Sequence, residues 1–477
     1  VAMNLLRTNR LIRRRASAAT VALLLTSAMF FVLTESAAGQ GRGLVHKEDL
    51  DQILEALIEL HGIATPDSGP PQPIEKIELG HALFFDRELS GNRDTACASC
   101  HFPTLGTGDM LPLSVGTKPR NIGSVGPDRG RGEDQEFTPR NAPEIFNRGS
   151  LLWFSQFWDS RVTQNADGTF NSPAGEDLLP GLESVLAVQA MFPVTSRLEM
   201  RGRAGDRDFL GQHNEMADVD DDDPRGIWNQ LMQRLLAIPE YQDLFAAAYP
   251  EKPQDDLTFA DAANAIAAFE IEAFTFLDSP WDQYLAGDDR ALSNKQKRGA
   301  ILFFGQAKCV ECHAGPLLTD QEHYNICTPQ LGPGAGVSAP LDMGRFLETG
   351  DLLDSFRFRV PPLRNVADTG PWMHNGAYNN LRDVIEHHAT PGANLLTYNP
   401  RKQLDEPELH DSLKNDSATL TMLVSTLDSQ YLSGPLPNRS VIEIEAFLEA
   451  LSAPNLHSRL EETIPESVPS GLPVDGI

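Results

Sequence analysis

The chain has 477 residues, long enough for two to four domains, and its 41% hydrophobic and 22% charged residues are the proportions of an ordinary water-soluble globular protein. Its 67 acidic residues outnumber its 39 basic ones, which gives a formal net charge of −28. A surface this acidic repels nucleic acid and anionic lipid, which excludes a nucleic-acid-binding protein. It would attract a basic protein partner, and the alternative is that the charge serves only solubility.

The first 39 residues differ from the rest of the chain. A basic segment with five arginines precedes an apolar run, Thr20 to Leu33, that is short for a membrane span, and Ser36-Ala37-Ala38 follows as a small-residue cleavage signal. This pattern predicts a secretory signal peptide over residues 1–39, export to the periplasm and no membrane span after cleavage. An uncleaved anchor is the alternative. Without residues 1–39, which carry five Arg and one Glu, the formal charge becomes −32.

Residues 40–74 are expected to form one amphipathic helix and a linker. The helix would end at Gly62, and the Pro-rich segment 65–73 is the linker. Apolar residues at helical spacing place one stripe on the helix, formed by Leu50, Ile53, Leu54, Leu57 and Ile58.

Four of the five cysteines fall into two Cys-x-x-Cys-His motifs, Cys97 to His101 and Cys309 to His313. In this motif each cysteine can add to a haem vinyl group while the histidine reaches the iron. A zinc ribbon needs its second Cys pair only about 15–20 residues away, whereas these pairs lie 212 residues apart. A thioredoxin-type pair does not need the histidine. The motifs therefore predict two covalent c-type haems.

The sequence around each motif is also repeated. The first motif is preceded by Gly80-His81-Ala82-Leu83-Phe84-Phe85, and the second by Gly299-Ala300-Ile301-Leu302-Phe303-Phe304. Each run is expected to be helical, and a Ser293-x-x-Gln296 capping box would begin the second helix. Residues 269–274 and 442–447 resemble one another as closing helices. We therefore predict two homologous haem domains, residues 75–280 and 281–453, followed by an irregular tail, residues 454–477.

With these motifs the chain resembles the di-haem cytochrome c peroxidase / MauG family over residues of about 75–452. The resemblance rests on both haem motifs and on "TPRNAPEIFN", "QFWDSR", "PVTSRLEM", "SPWDQYLAGD", "GPLLTD" and "VPPLRNVADTGPWMHNGAYNNLRDVIEHH". It implies a mainly α fold of two cytochrome c-like domains with long loops and little β structure. It also implies a periplasmic peroxidase that reduces hydrogen peroxide at the N-terminal haem, while the C-terminal haem is six-coordinate and stores electrons.

The resemblance places the second axial ligand of the C-terminal haem at His388, opposite His313. The peroxidase branch has Met at this position and the MauG branch has Tyr, so the sequence departs from both. His387, after a one-residue slip, or neither histidine are the alternatives. Two imidazoles stabilise ferric iron better than one imidazole and a thioether, so this haem would be harder to reduce.

The N-terminal iron is expected to be open on its distal side. Relatives that block this iron do so with a loop histidine, but the chain has no histidine between His101 and His213. Met110 is the rival ligand. The resemblance assigns Glu199 as the distal acid, with Gln189 and Pro193 at the family spacing, and Trp158 as the residue that bridges the haems. A carboxylate is needed because peroxide must lose and regain a proton.

The resemblance also implies one Ca²⁺ between the haems, held by the Asn141 side chain and by the backbone carbonyls of Thr369 and Pro371. His374 resembles a residue near the haem interface whose task is less certain. The acidic run 218–223 lacks the pattern of an EF-hand and is interpreted as a solvated loop.

Two enzymatic outcomes remain open at this point. A small periplasmic cytochrome or copper protein could return electrons, which would make the protein a detoxifying peroxidase. Alternatively, as in MauG, the oxidising equivalents could be drawn from residues of a partner protein. A non-catalytic di-haem electron carrier is the third interpretation, and it would require both irons to be saturated. Cys327 is expected to be an unpaired thiol.

Overall fold

The computed structural model describes residues 47–428 and 434–477, and 43% of its residues are helical and 5% lie in strands. The mainly α prediction is therefore confirmed. The predicted signal peptide lies outside the described residues. Within the described residues, no helix combines the length and the apolar character needed to cross a membrane.

Sixteen α-helices occur in the described part of the chain. In chain order they are α1 (Lys47–His61), α2 (Ile74–Phe85), α3 (Cys97–Cys100), α4 (Val185–Ala190), α5 (Pro224–Leu235), α6 (Pro239–Ala248), α7 (Phe259–Ala273), α8 (Pro280–Leu285), α9 (Asn294–Phe304), α10 (Phe346–Thr349), α11 (Leu381–Ala389), α12 (Pro391–Thr397), α13 (Pro400–Gln403), α14 (Ser417–Ser425), α15 (Asn438–Glu449) and α16 (Leu456–Glu461). The expected capping box opens α9, where Ser293 and Gln296 bond reciprocally. Gly62 follows α1 with a φ of +63°, as expected of a helix-ending glycine.

Five short strands form two small antiparallel sheets. The first sheet has the order β1-β2-β3 and the second pairs β4 with β5. The strands are β1 (Ser155–Gln156), β2 (Val162–Gln164), β3 (Phe170–Asn171), β4 (His323–Tyr324) and β5 (Phe358–Arg359). The β2–β3 hairpin lies in the segment that separates Trp158 from Gln189 along the chain.

The predicted duplication is visible as two equivalent helix pairs, α2 against α7 and α9 against α15. A Cβ on Gly80 would collide with the carbonyl oxygen of Ala265 and lie 2.9 Å from Phe269 Cβ. A Cβ on Gly299 would meet the carbonyl oxygen of Glu443 and Phe447 Cβ in the same way. In both domains, glycine is needed because the two helix backbones approach too closely for a side chain.

This contact corrects the register of the closing helices. The sequence comparison paired Phe274 with Phe447, but the glycine contacts make Phe269 the counterpart of Phe447. The aromatic clusters agree, since Phe84 lies 5.3 Å from Phe269 and Phe303 lies 5.3 Å from Phe447. The local similarity of 269–274 and 442–447 is therefore displaced by five residues from the three-dimensional equivalence.

Each haem domain is completed by a segment from the far end of the described chain. Helix α1 packs on α9 of the second domain, where Leu54 and Leu57 share a core with Trp281 and Asp51 forms an ion pair with the buried Lys297. Residues 454–477, expected to be irregular, instead contain α16 and pack on the first domain. Their buried side chains in that core are Leu456, Leu460, Val468 and Val474. Apolar residues without helical periodicity still supply buried area when the chain lies extended over a core.

Candidate functional site

Each Cys-x-x-Cys-His motif opens onto its own cavity. The first cavity, about 540 Å³, is lined by Cys97, Cys100 and His101. The second, about 200 Å³, is lined by Cys309, Cys312 and His313. Within the described residues, none of the cysteines forms a disulfide. Both thiols of each motif therefore face a cavity together with the adjacent histidine, as haem attachment requires.

The two motif histidines are oriented identically. His101 Nδ1 lies 3.1 Å from the carbonyl oxygen of Thr107, and His313 Nδ1 lies 3.0 Å from that of Leu318. A carbonyl only accepts, so Nδ1 carries the hydrogen in each ring and Nε2 keeps its lone pair. Burial lowers the pKa of both rings, that of His313 to about 4, which keeps them neutral. Neutral imidazoles with a free Nε2 fit an iron ligand.

His388 lies opposite His313 across the second cavity, with its ring centre 6.4 Å away. A metal–imidazole bond of about 2.0 Å plus about 1.15 Å from nitrogen to ring centre, taken on both sides, gives about 6.3 Å. His388 Nδ1 bonds the Val384 carbonyl at 2.8 Å, which again leaves Nε2 free. The spacing therefore fits one iron between the two rings.

His387 faces away from this cavity. Its Nδ1 accepts a hydrogen bond from the Tyr378 hydroxyl at 2.8 Å, and its Nε2 bonds the Ile326 carbonyl at 2.7 Å. Both ring nitrogens are thus engaged, and His387 does not line the second cavity as His388 does. The alternative left open by the sequence therefore has no geometric support.

The first cavity brings together the three residues expected on its distal side, Gln189, Pro193 and Glu199. Among the described residues that line it, His101 is the one histidine. Met110 is 52% exposed and lies outside the lining. Met200, which the sequence interpretation did not consider, does line it.

Glu199 lies in a charged pocket. Burial raises the pKa of its carboxyl, while Arg161 and Arg140 partly oppose that rise. Both guanidinium groups also bond Asp159, Arg140 at 2.5 Å and Arg161 at 3.1 Å. Although burial opposes it, these two cations lower the pKa of Asp159, so Asp159 stays ionised and holds them in place. Glu199 is the carboxyl of this group that can carry a proton.

Trp158 lines both cavities, and so does Asn141. The Trp158 indole donates to the Asn141 carbonyl at 3.0 Å, and the Asn141 amide donates to the His374 carbonyl at 2.8 Å. The Trp158 indole and the backbone of Asn141 thus form a hydrogen-bonded connection between the two cavities. Trp158 and Gln189 line the first cavity together, although about thirty residues separate them along the chain.

The residues expected to bind Ca²⁺ also converge, since Asn141, Thr369 and Pro371 all line the second cavity. Asn141 Nδ2 donates to the Leu111 carbonyl at 2.8 Å, which leaves its Oδ1 as the available oxygen. No cluster of acidic, Cys and His residues suited to a metal occurs in the described part of the chain. An amide oxygen and backbone carbonyls are nevertheless ligands that Ca²⁺ accepts.

Two further residues and one acidic run named in the sequence analysis can be placed in the structure. His374 stacks on Phe358 at 3.5 Å beside the second cavity, and its Nε2 is buried without a hydrogen-bond partner among the described residues. Cys327 is buried, with Sγ 3.3 Å from the Leu423 carbonyl. The acidic run 218–223 is engaged locally, since its Asp221 pairs with Arg197 and Arg201.

Known proteins that resemble this chain identify its family. The family model for di-haem cytochrome c peroxidase matches residues 74–290. Cytochrome c551 peroxidase of Pseudomonas aeruginosa is 32% identical over 318 residues, which cover 66% of this chain and 72% of that protein. The chain belongs to the di-haem cytochrome c peroxidase family. This di-haem peroxidase is a haem-dependent oxidoreductase, and its family implies two c-type haems, which its two cavities could hold.

Relatives from the MauG branch match a longer part of this peroxidase. The methylamine utilization protein MauG of Methylorubrum extorquens is 26% identical over 413 residues, which cover 84% of this chain and 95% of that protein. The crystal structure of a MauG-like protein associated with microbial copper homeostasis has a TM-score of 0.55 at 26% identity, covering 83% of this chain and 95% of that chain.

Sequence inspection missed several residues that line the first cavity of this peroxidase. Val337 and Glu348 reach it from the second domain, so no local pattern announces them. Arg140 and Arg161 stand inside quoted motifs without an assigned role. Glu270 lies on α7, and the incorrect register of the closing helices compared it with Glu443 instead of Leu448.

Proposed function

We propose that the chain is a periplasmic di-haem peroxidase that reduces hydrogen peroxide at an open N-terminal haem and stores electrons on a bis-histidine C-terminal haem. The observation that carries this proposal is the contrast between the cavities. The second cavity has two histidines facing one another at 6.4 Å, whereas His101 is the one histidine among the described residues that line the first. This contrast supports a site for an external ligand at the first haem and none at the second.

His101, His313 and His388 would provide the iron ligands, and the cysteine pairs would provide the thioethers. The bound haems supply redox-active iron, one for peroxide and one for storage of an electron. The chain must move the protons. Glu199 would take a proton from peroxide as it binds and return it to the departing oxygen. Its raised pKa brings the carboxyl closer to the pH at which a general acid–base group is most effective.

Neighbouring residues would hold this geometry. Gln189 lines the same cavity and can orient peroxide through its amide, while Pro193 shapes the distal wall. Trp158 would carry electrons or holes between the haems, because its ring lines both cavities. Asn141, Thr369 and Pro371 would hold one Ca²⁺ and fix the segment to which Trp158 is bonded.

The electron source is proposed from charge. With −32 formal charges after removal of residues 1–39, the protein would attract a basic periplasmic donor, such as a small cytochrome or copper protein, by long-range electrostatics. A MauG-like role, in which a partner protein is oxidised, has one specific observation in its favour. MauG of Methylorubrum extorquens aligns over 84% of this chain, against 66% for the Pseudomonas aeruginosa peroxidase and 77% for the peroxidase IdrP1 of another Pseudomonas strain.

Optical and EPR spectra of the ferric protein, before and after peroxide, test the proposal. One high-spin and one low-spin haem, with the high-spin signal consumed by peroxide, are the expected result. Two low-spin haems inert to peroxide would refute it and would favour an electron carrier in which Met200 closes the first iron. Consumption of peroxide with a basic cytochrome as reductant then separates a peroxidase from a protein-modifying oxidase.

His388→Ala tests the ligand assignment, and His387→Ala is its matched control. The first change should convert the low-spin haem to a high-spin or water-ligated form. The second should leave that low-spin signal in place, since it removes only the bonds to Tyr378 and Ile326. An unchanged signal in His388→Ala would contradict the assignment.

A further inference from the structure

The duplicated domains allow the two haem cavities to be compared position by position. With Phe269 equivalent to Phe447, the closing helices α7 and α15 place two residues each in the cavity walls. Ile266 in the first cavity corresponds to Ile444 in the second. Glu270 corresponds to Leu448. The same wall position is thus acidic at the N-terminal haem and aliphatic at the C-terminal haem.

Glu270 is buried and poorly partnered. Its residue is 6% exposed, and its Oε2 has no hydrogen-bond partner among the described residues. The nearby cation, Arg148, partly opposes the rise in the pKa of Glu270, but its Nη1 has no hydrogen-bond partner among the described residues and its hydrogen bonds go to Glu144. It donates to the carboxylate and the carbonyl of Glu144 at 2.8 Å and lies over the Trp153 ring. Native proteins rarely leave a buried carboxyl without a partner, so one that does so at a cofactor requires a reason.

The other elements packed against α7 do not neutralise Glu270 either. Helix α4 contributes no charged residue to this contact. On α2, Lys76 pairs with Glu183, and His81 bonds the Thr463 carbonyl. On α5, Arg234 pairs with Glu215 and Glu88. Cys97 on α3 is uncharged as a thioether. Burial accordingly raises the pKa of Glu270 to about 8, so its charge can change near physiological pH.

We propose that Glu270 is the proton-binding group of the N-terminal haem pocket, and that it takes up one proton from water when this haem takes up one electron. The electron comes from the donor protein, or from an electrode in the test. The proton converts the Glu270 carboxylate into a neutral carboxylic acid, and both leave on reoxidation. An added electron makes a buried anion beside it less favourable, and linkage makes this effect reciprocal. This inference rests on the proposed reactive role of the first haem.

Such a group would serve the reaction directly, because the reduction of peroxide to two waters consumes two electrons and two protons. Glu199 would move the proton of peroxide itself. Glu270, on the closing helix, would hold a further proton within the same cavity. Leu448 cannot do this, so electron uptake by the second haem should require no proton there.

A spectroelectrochemical titration of the holoprotein between pH 6 and 9 tests the proposal. A tenfold change in proton concentration converts to 59 mV for one electron, so the midpoint potential of the high-spin haem should fall by up to about that amount per pH unit. In Glu270→Gln and in Glu270→Leu, which copies the second domain, the slope should disappear. Glu272→Gln, an exposed neighbour on α7, should keep the wild-type slope.

The reciprocal variant Leu448→Glu should confer a pH-dependent potential on the low-spin haem. A flat wild-type titration, or a slope that persists in Glu270→Gln, would overturn the proposal. Peroxide turnover measured on the same samples distinguishes failure of the Glu270 proposal from failure of the proposed peroxidase function. A pH-independent potential in an active enzyme refutes the role of Glu270 alone, whereas failure to react with peroxide refutes the proposed function whatever the slope.

Discussion

Asp475 binds the segment after α16 to the first haem motif. Its side chain is fully buried between two arginines, with Oδ1 2.7 Å from Arg87 Nε and Oδ2 3.7 Å from Arg129 Nη1. It also accepts a hydrogen bond from Ser99, which lies between the two cysteines of the motif and itself accepts from the Ala96 amide. One carboxylate thus connects the end of the described chain to the loop that holds the haem.

Asp475→Asn keeps the shape of the side chain but removes its charge. The two arginines, each about 1% exposed, would then lose the ion pair that each forms with this carboxylate. Removing one partner of a buried ion pair costs about 3–5 kcal/mol. For a domain of this size each kcal/mol lowers the unfolding midpoint by about 2–4 °C, so the first domain should melt about 6–20 °C earlier.

Thermal unfolding of the holoprotein, followed separately through the high-spin and low-spin haem bands, measures this loss. Asp411→Asn is the matched control, because Asp411 forms an exposed ion pair with Arg401 whose contribution is about 0–1 kcal/mol. The high-spin band should shift in Asp475→Asn and neither band in the control. Equal midpoints for the two variants would refute the assigned role of Asp475.

Four further outcomes are expected. Glu199→Gln should slow the reaction with peroxide about 10²–10⁴-fold in stopped-flow measurements without loss of haem, and a normal rate would remove it from catalysis. Gly80→Ala should cost about 1–3 kcal/mol by overpacking in chemical denaturation, whereas Gly392→Ala, with open space around it, should be near neutral. Metal analysis should find one Ca²⁺ per chain that Asn141→Ala or a chelator removes, and native protein free of Ca²⁺ would contradict that site. Since burial raises the pKa of Glu270 from 4.5 to about 8, the native state binds an extra proton between these values. The free energy of unfolding should therefore fall relative to Glu270→Gln as the pH rises from about 5 to about 8, and parallel pH profiles would exclude this effect.

The parts of this protein that the sequence predicts well are those encoded within a short stretch of chain. The haem motif places two cysteines and a histidine within one turn, and the opening helix α9 carries its own cap. The amphipathic stripe around Leu54 predicts α1 for the same reason, because spacing alone determines which residues share a face. None of these features depends on what another segment does.

The features that the sequence did not predict depend on contacts between segments that are distant in the chain. Helix α1 and residues 454–477 pack on opposite domains, and apolar content does not reveal which core a segment covers. The proposal of His388 rather than His387 as ligand is supported by Tyr378 and Ile326, which bond both nitrogens of His387. Counting along the motif indicated His388, whereas the hydrogen bonds of His387 to Tyr378 and Ile326 supply the physical reason to prefer it.

The division of labour that we propose for the two haems rests on a few differences within one repeated framework. The framework, two helices crossing at a glycine with an aromatic cluster beside it, is the same in both domains. The two domains differ in the residues that line their haem cavities. The second cavity has His388 across from its motif histidine and Leu448 on its closing helix, while the first has Glu199 and Glu270. A second imidazole closes an iron to external ligands, and carboxyls make proton transfer possible where the iron is open. On this basis, exchanging Glu270 and Leu448 should transfer proton coupling between haems without transferring reactivity, because reactivity depends on His388.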